Sequence, residues 1–255
     1  MKKLSIVSYG LVSPSQMTLE SAGALRSCGI VYCKSADTST AKIIRSMGIP
    51  LAPFSGRDYP GMLKDVLEAF KKHTRVGVLT YGNPFFLSTQ ISDIISAVPP
   101  QVEVEVLPGI SSFDTLINMF AMSALSGKGL FIADLNSFMT NPEFEPGPDI
   151  FFFAPFRLNA EGNAKFRAKF IKALSGKYAR RFPVYLVKCN PAPERVEVLK
   201  GCMSCLPALL KRCDEQHTLV IFSEDRLAAT PSRLRSSVRD VCNCGLRKPA
   251  LPRRQ

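Results

Sequence analysis

The sequence predicts an α/β protein of two domains. Short apolar runs of strand length alternate with segments of helical periodicity, and turns containing Gly and Pro separate them. The chain has 255 residues, enough for two modest domains, and 46% of them are hydrophobic, enough for a buried core in each.

Residues 4–9 read as a buried strand, followed by a loop, Gly10-Leu11-Val12-Ser13-Pro14-Ser15. A helix should start near Thr18, a good N-cap, with Glu20 placing negative charge in the first turn where the helix dipole favours it. Residues 30–33 form a second short strand. The helix expected over 38–47 is closed by Gly48 and then Pro50. Residues 61–73 place Met62, Val66, Leu67, Ala69 and Phe70 close to one helical face, and 76–81 form a buried strand ending at Gly82-Asn83-Pro84. A helix at 87–97, a β-branched strand at 102–107, a Pro108-Gly109 turn and a helix at 112–122 complete the first half. This β-α-β-α alternation argues for a largely parallel sheet covered by helices.

The domain boundary is expected at Gly127-Lys128-Gly129, which gives domains of 1–126 and 127–227 and a basic tail of 228–255. In the second domain, strands at 130–133, 150–154, 184–188 and 219–222 are separated by helices near 165–174 and 206–212. A hairpin strand near 195–199 should add an antiparallel edge. There is no internal repeat and no low-complexity block.

No apolar run approaches the roughly 20 residues that a membrane helix needs, and Met1-Lys2-Lys3 precedes too short an apolar stretch for a signal peptide. A cytoplasmic protein with reduced thiols is therefore expected, and no membrane partner. Cys202-Met203-Ser204-Cys205, with Cys213 nearby and Cys242-Asn243-Cys244 further on, invites a zinc reading. The second pair has the wrong spacing for a zinc knuckle, and no metal is expected. The net charge of +12 favours an acidic partner of some kind, but no nucleic-acid motif accompanies it, so a nucleic-acid partner is not expected.

In open parallel α/β sheets, ligands bind beyond the carboxyl ends of the strands. That points to three loops, at 10–16, 81–86 and 108–112, each combining Gly or Pro with small polar residues. No G-x-G-x-x-G follows the first strand and no G-x-x-x-x-G-K-[ST] occurs, which disfavours common dinucleotide and nucleoside-triphosphate enzymes. With only His73 and His217 in the chain, a Ser-His-Asp hydrolase or a histidine-rich metal site has little to draw on.

The order and spacing of these loops resemble the tetrapyrrole (corrin/porphyrin) methylase superfamily. Its members carry a Gly/Pro loop after the first strand, a G-D-P-like turn after a central strand and P-G-[IV]-[ST]-[SA] after the next. Here these are Gly10 to Pro14, Tyr81-Gly82-Asn83-Pro84 and Pro108-Gly109-Ile110-Ser111-Ser112. Ile150-Phe151-Phe152-Phe153-Ala154 resembles the strand on the cofactor's adenosine side, and Asn190-Pro191-Ala192-Pro193-Glu194-Arg195-Val196 resembles a late turn. The resemblance spans about residues 3–225. It implies a two-domain tetrapyrrole-methylase-like α/β fold with S-adenosylmethionine in the interdomain cleft, held by Pro14, Gly82, Asn83, Phe86, Ser111, Ser112 and Ala154.

A finer likeness is to borosin-type peptide backbone α-N-methyltransferases. Gly10-Leu11-Val12-Ser13-Pro14-Ser15-Gln16-Met17-Thr18 resembles their G-L-x-x-x-x-Q-[IM]-[ST] loop. Arg57-Asp58-Tyr59-Pro60-Gly61-Met62 resembles their R-x-T-Y-x-Q-M, one residue short and with Gly61 in place of Gln, and Tyr81-Gly82-Asn83-Pro84 resembles Y-G-H-P with His replaced by Asn. This likeness implies methylation of backbone amides of a precursor peptide supplied in trans, by a homodimer. Arg57 and Tyr59 would hold or polarise the amide and Tyr81 would lie beside the methyl group; the alternative is that Arg57 is a surface charge on a loop and that both tyrosines only pack their rings. The competing readings are C-methylation of a tetrapyrrole or another small acidic metabolite, and a non-catalytic relative that binds peptide or RNA.

Overall fold

The computed structural model describes residues 1–11, 14–33, 36–56, 58–143, 145–189, 197–224 and 238–241. The chain divides into two compact units, Met1–Leu116 and Ile117–Gln255, so the division falls earlier than the glycine-flanked 126/127 position read from the sequence.

The first unit contains β1 (Lys2–Ser8), α1 (Leu19–Arg26), β2 (Ile30–Cys33), α2 (Thr38–Ser46), β3 (Leu51–Pro53), α3 (Tyr59–Ala69), β4 (Arg75–Thr80), α4 (Thr89–Ala97), β5 (Val102–Val106) and the start of α5 (Ser112–Met119). Its five strands form one sheet in the order β3-β2-β4-β1-β5. Every pairing in it is parallel, as the helical crossovers require. Both faces are covered, which is why the strands read as continuous apolar runs. Leu4 and Ile6 point to a core with Val76, Val78, Met62, Val66 and Ile94, built with α3 and α4. Val7 points the other way, to Val31, Leu79, Leu25 and Ile44, with α1 and α2. Each such aliphatic side chain contributes about 1.5–3 kcal/mol on full burial.

Local chemistry sets the helix starts. Thr18 caps α1 by accepting the Ser21 N–H at 3.1 Å, as its position predicts. Asp37 and Asp58 cap α2 and α3 in the same way, through Thr40 and Gly61. The sequence reading had missed β3, a three-residue edge strand ending in Pro53, where an edge position tolerates the missing N–H.

The second unit contains β6 (Leu130–Ala133), α6 (Leu135–Thr140), β7 (Asp149–Phe153), α7 (Ala164–Lys177), β8 (Pro183–Lys188), β9 (Glu197–Cys202), α8 (Leu206–Leu210), β10 (His217–Ile221) and β11 (Val238–Asp240). Its sheet order is β11-β9-β8-β10-β7-β6. β6 and β7 are parallel, as are β9 and β11, while β10 runs antiparallel to both β7 and β8, and β8 antiparallel to β9. The sheet is thus mixed. The expected hairpin strand is present, but it is not the edge, because β11 lies outside it, a strand in a stretch read from the sequence only as tail. Phe138, Phe152 and Phe170 fill the core under α6 and α7, with Phe152 and Phe170 ring centres 4.5 Å apart. α6, also unforeseen, opens with a capping box between Asp134 and Ser137. Among the described residues, no helix is long and apolar enough to cross a membrane.

Candidate functional site

Because β1 lies between β4 and β5 and all three run parallel, the loops that follow them leave the same edge of the sheet side by side. Backbone hydrogen bonds carry the pairing past the strand ends. Tyr9 N–H donates to the Thr80 carbonyl at 3.2 Å, Gly82 N–H to Gly10 at 2.9 Å, and Leu107 N–H to Ile6 at 3.0 Å. The described residues of the three loops, 10–11 and 14–16, 81–86 and 108–112, therefore leave the sheet side by side.

Two glycines make this arrangement possible. Gly10 has φ 83°, a left-handed conformation that a side chain would strain. At Gly109 an added Cβ would stand 2.2 Å from Cβ of Ser8, so the third loop presses directly on the end of β1. The first loop is closed by two side chains: Ser8 Oγ, which the sequence reading had not singled out, accepts Gly10 N–H at 2.8 Å, and Gln16 Oε1, the glutamine of the motif, accepts Leu11 N–H at 2.7 Å. In the third, Asp114 Oδ2 accepts both the N–H and the hydroxyl of Ser111 at 2.7 Å, capping α5 with a carboxylate. The S-x-x-D spacing carried that signal. A helix start already occupied by a carboxylate disfavours a phosphate.

Pro14 is buried and begins a short 3-10 turn, with its carbonyl accepting Met17 N–H. Gly82 has φ 65°, and the side-chain oxygen of Asn83 accepts Phe85 N–H at 3.0 Å. Phe86 packs on Phe113 at 6.1 Å between ring centres. Ser111 is buried, and Ser112 is the first residue of α5. Tyr81 is 39% exposed and meets Tyr9 edge-on, and Phe85, Leu87 and Ile110 are exposed on the same loops, so apolar surface gathers there. Leu87 adds a left-handed backbone, φ 55°, of the kind that concentrates at ligand loops.

Tyr59 stands at the start of α3, and its hydroxyl donates to the Asp93 carbonyl at 3.1 Å. The structure thus brings Pro14, Tyr81, Gly82, Asn83, Phe86, Ser111 and Ser112 onto neighbouring loops, with Tyr59 tied to α4. Arg57 and the 190–196 turn lie outside the described residues. Ala154 belongs to the second unit, where it ends β7 in a left-handed conformation, φ 49°, and its carbonyl accepts Arg157 N–H at 3.1 Å. Cys202 and Cys205 have their sulfurs 3.4 Å apart. No group of three or more His, Cys, Asp or Glu suited to a metal occurs among the described residues.

Comparison with known proteins places this architecture. The sequence pattern of the Tetrapyrrole (Corrin/Porphyrin) Methylases matches residues 3–132, and the chain belongs to that family. It is therefore an S-adenosylmethionine-dependent methyltransferase. No curated protein matches. Among solved structures, a uroporphyrin-III C-methyltransferase from Thermus thermophilus, complexed with S-adenosyl homocysteine, is similar at 16% identity and a TM-score of 0.65, over 88% of this chain and 99% of that one. The native form of the Thermus enzyme is similar at 15% identity and a TM-score of 0.64, over 92% of this chain and 98% of that one. These likenesses show the fold. The residues present fit the cofactor: the loops bring backbone close at Gly10, Gly82 and Gly109 and gather exposed rings on which a nucleoside can pack.

Proposed function

We propose that the chain methylates backbone amide nitrogens of a precursor peptide supplied in trans, working as a homodimer. The observation that supports this best is the closure of the first loop by Gln16 on Leu11 N–H. It gives a structural task to the Gly10, Leu11 and Gln16 spacing shared with the peptide-methylating branch. S-adenosylmethionine, when bound, supplies a methyl group on a sulfonium, and Pro14, Gly82, Asn83, Phe86, Ser111, Ser112 and Ala154 are the residues that would hold it.

A backbone amide is a poor nucleophile until its carbonyl is polarised and its proton has somewhere to go. In this reading Arg57 and Tyr59 divide that work. An arginine only donates, so Arg57 is the group for the amide oxygen. The hydroxyl proton of Tyr59 is committed to Asp93, so its oxygen lone pairs remain to accept from the amide N–H. Tyr81, exposed at the end of β4, would line the path of the methyl group and exclude water.

The test is incubation of the purified chain with S-adenosylmethionine and a panel of peptides joining acidic leaders to apolar cores. Backbone methylation mapped by tandem mass spectrometry supports the proposal, and Arg57→Ala should lose it while still binding the cofactor. C-methylation of a tetrapyrrole or another small acidic metabolite is the second reading. It is favoured by the likeness to the Thermus uroporphyrin-III methyltransferases and by the +12 charge, which suits a polycarboxylate. Turnover of uroporphyrinogen III with every peptide left unmodified would replace the first reading by the second.

A further inference from the structure

The turn that joins β9 to α8 carries two thiols that the methyl-transfer chemistry does not use. Cys202 is the last residue of β9, and Met203–Cys205 form a single 3-10 turn before α8. A turn of this kind brings residues three apart close together. The two sulfurs lie 3.4 Å apart, and the Ser204 hydroxyl stands 3.1 Å from that of Cys202. A disulfide is about 2.05 Å long, so bond formation needs the sulfurs to close by only about 1.4 Å.

Backbone contacts already hold this turn. Cys202 is in register with Pro183 of β8, Met203 N–H donates to the Phe182 carbonyl at 2.8 Å, and Ser204 N–H to the Arg180 carbonyl at 3.0 Å. Leu206, Leu209 and Leu210 anchor α8 in the core, and a Cβ added at Gly201 would stand 2.7 Å from Cδ1 of Leu209. The freedom that remains is that of the two cysteine side chains, whose rotation brings the sulfurs together.

The other described cysteines are differently placed. Cys28, Cys33 and Cys189 are buried, and the Cys213 thiol donates to the Leu209 carbonyl at 3.7 Å. Burial pushes the thiol of Cys28 up to about 11 and those of Cys189 and Cys213 up to about 12, which leaves them unreactive at neutral pH. Cys205, in contrast, is partly exposed, with Cys202 buried behind it. Burial acts to raise the Cys202 thiol, but its hydrogen bonds with Ser204 and Cys205 together hold it below its ordinary value. Cys205 is raised, by burial and by its bond to Cys202.

We infer that Cys202 and Cys205 form a reversible dithiol–disulfide site, oxidised by small-molecule disulfides that react first at Cys205. Cys205 gives its proton to solvent and attacks one sulfur of the small disulfide. A mixed disulfide forms, and the other half leaves as a thiolate that is protonated. The Cys202 thiolate then attacks the Cys205 sulfur, the ring closes, and the second small thiolate leaves and is protonated. Two thiols of the chain are thus oxidised while one small disulfide is reduced to two thiols. The first step is slow at neutral pH because Cys205 holds its proton, and the second is fast because Cys202 gives its proton up readily and lies in contact.

Incubation of the full chain with glutathione disulfide, quenched by acid and alkylation and mapped by peptide mass spectrometry, tests the site. A Cys202–Cys205 disulfide that dithiothreitol reverses is expected. It should form roughly tenfold faster at about pH 8 than at about pH 7, as the thiolate fraction of Cys205 rises. Cys202→Ser should stop at the mixed disulfide, with one glutathione trapped on Cys205, and Cys205→Ser should leave Cys202 unmodified. Circular dichroism checks that both variants fold, and the mapping of the parent chain stands without them. Glutathione trapped on Cys205 of the parent with no internal disulfide, pairing of either sulfur with a different cysteine in preference, or no oxidation of either sulfur would each overturn the inference.

Discussion

At the level of single residues, Gly109 is the position where side-chain size decides whether the site forms. A methyl group there must displace Ser8 or the third loop, and overpacking of this kind costs about 1–3 kcal/mol. Gly109→Ala should therefore lower the urea midpoint and weaken S-adenosylmethionine binding at least tenfold by calorimetry, an effect of about 1.4 kcal/mol or more. Trimming the neighbour in Ser8→Gly, Gly109→Ala should recover part of the affinity. His217 sets a pH dependence. Burial holds its pKa below the ordinary value of 6.5, while Asp214, bonded at 2.7 Å, acts to raise it. The unfolded chain then takes up a proton near pH 6.5 that the folded chain takes up only at lower pH, so stability falls as pH drops through 6.5 towards the folded value. Urea unfolding of His217→Gln should show a shallower loss between about pH 7.5 and about pH 5.5 than the parent. The sequence displayed Gly109 as part of a turn, but its need for glycine comes from Ser8, far away in the chain, and no local pattern carries that. The burial of His217 was equally silent, since it depends on β10 lying inside a sheet.

Among the elements, the capped helices and the strands of the first unit were the most legible. Periodicity and chain order together suffice when every strand is followed by a helix that must return to the same sheet edge. Thr18 was readable as a cap, and the cap needs its hydroxyl: Thr18→Ala should cost about 1 kcal/mol by chemical denaturation, while Thr18→Ser keeps the bond to Ser21 and should cost little. β3 and α6 escaped because they are three and six residues long, too short for any period to emerge. α6 nonetheless carried the D-x-x-S signal of its capping box, and β3 was hidden between Pro50 and Pro53. The order of strands in the second unit was beyond reach for another reason. β10 inserts between β7 and β8, and a strand pairs wherever its edges find partners, which its own sequence does not name. The first loop was legible in outline, and Gln16 is its closing residue. Gln16→Ala should leave the fold intact by circular dichroism and reduce methyl transfer to peptide more than it lowers the thermal midpoint.

For the whole molecule, stability divides between central and edge strands. β1 is hydrogen-bonded on both sides and has both faces covered, whereas β3 and β6 sit at sheet edges. Native-state hydrogen exchange should find the amides of β1 and β4 among the slowest in the first unit, and those of β3 the fastest of its strands; the reverse order would refute the topology. The fold class and the side-by-side placing of the three loops could be anticipated because both follow from parallel strands joined by crossovers. The substrate could not, since specificity rests on side chains brought in from outside those loops. The central place of β1 also bears on synthesis. β1 is synthesised before both of its neighbours, β4 and β5, and the second of these ends only at Val106. Through the translation of about a hundred residues, the apolar Leu4, Ile6 and Val7 must wait for a complete set of sheet partners, so β1 is a segment for a chaperone to shield.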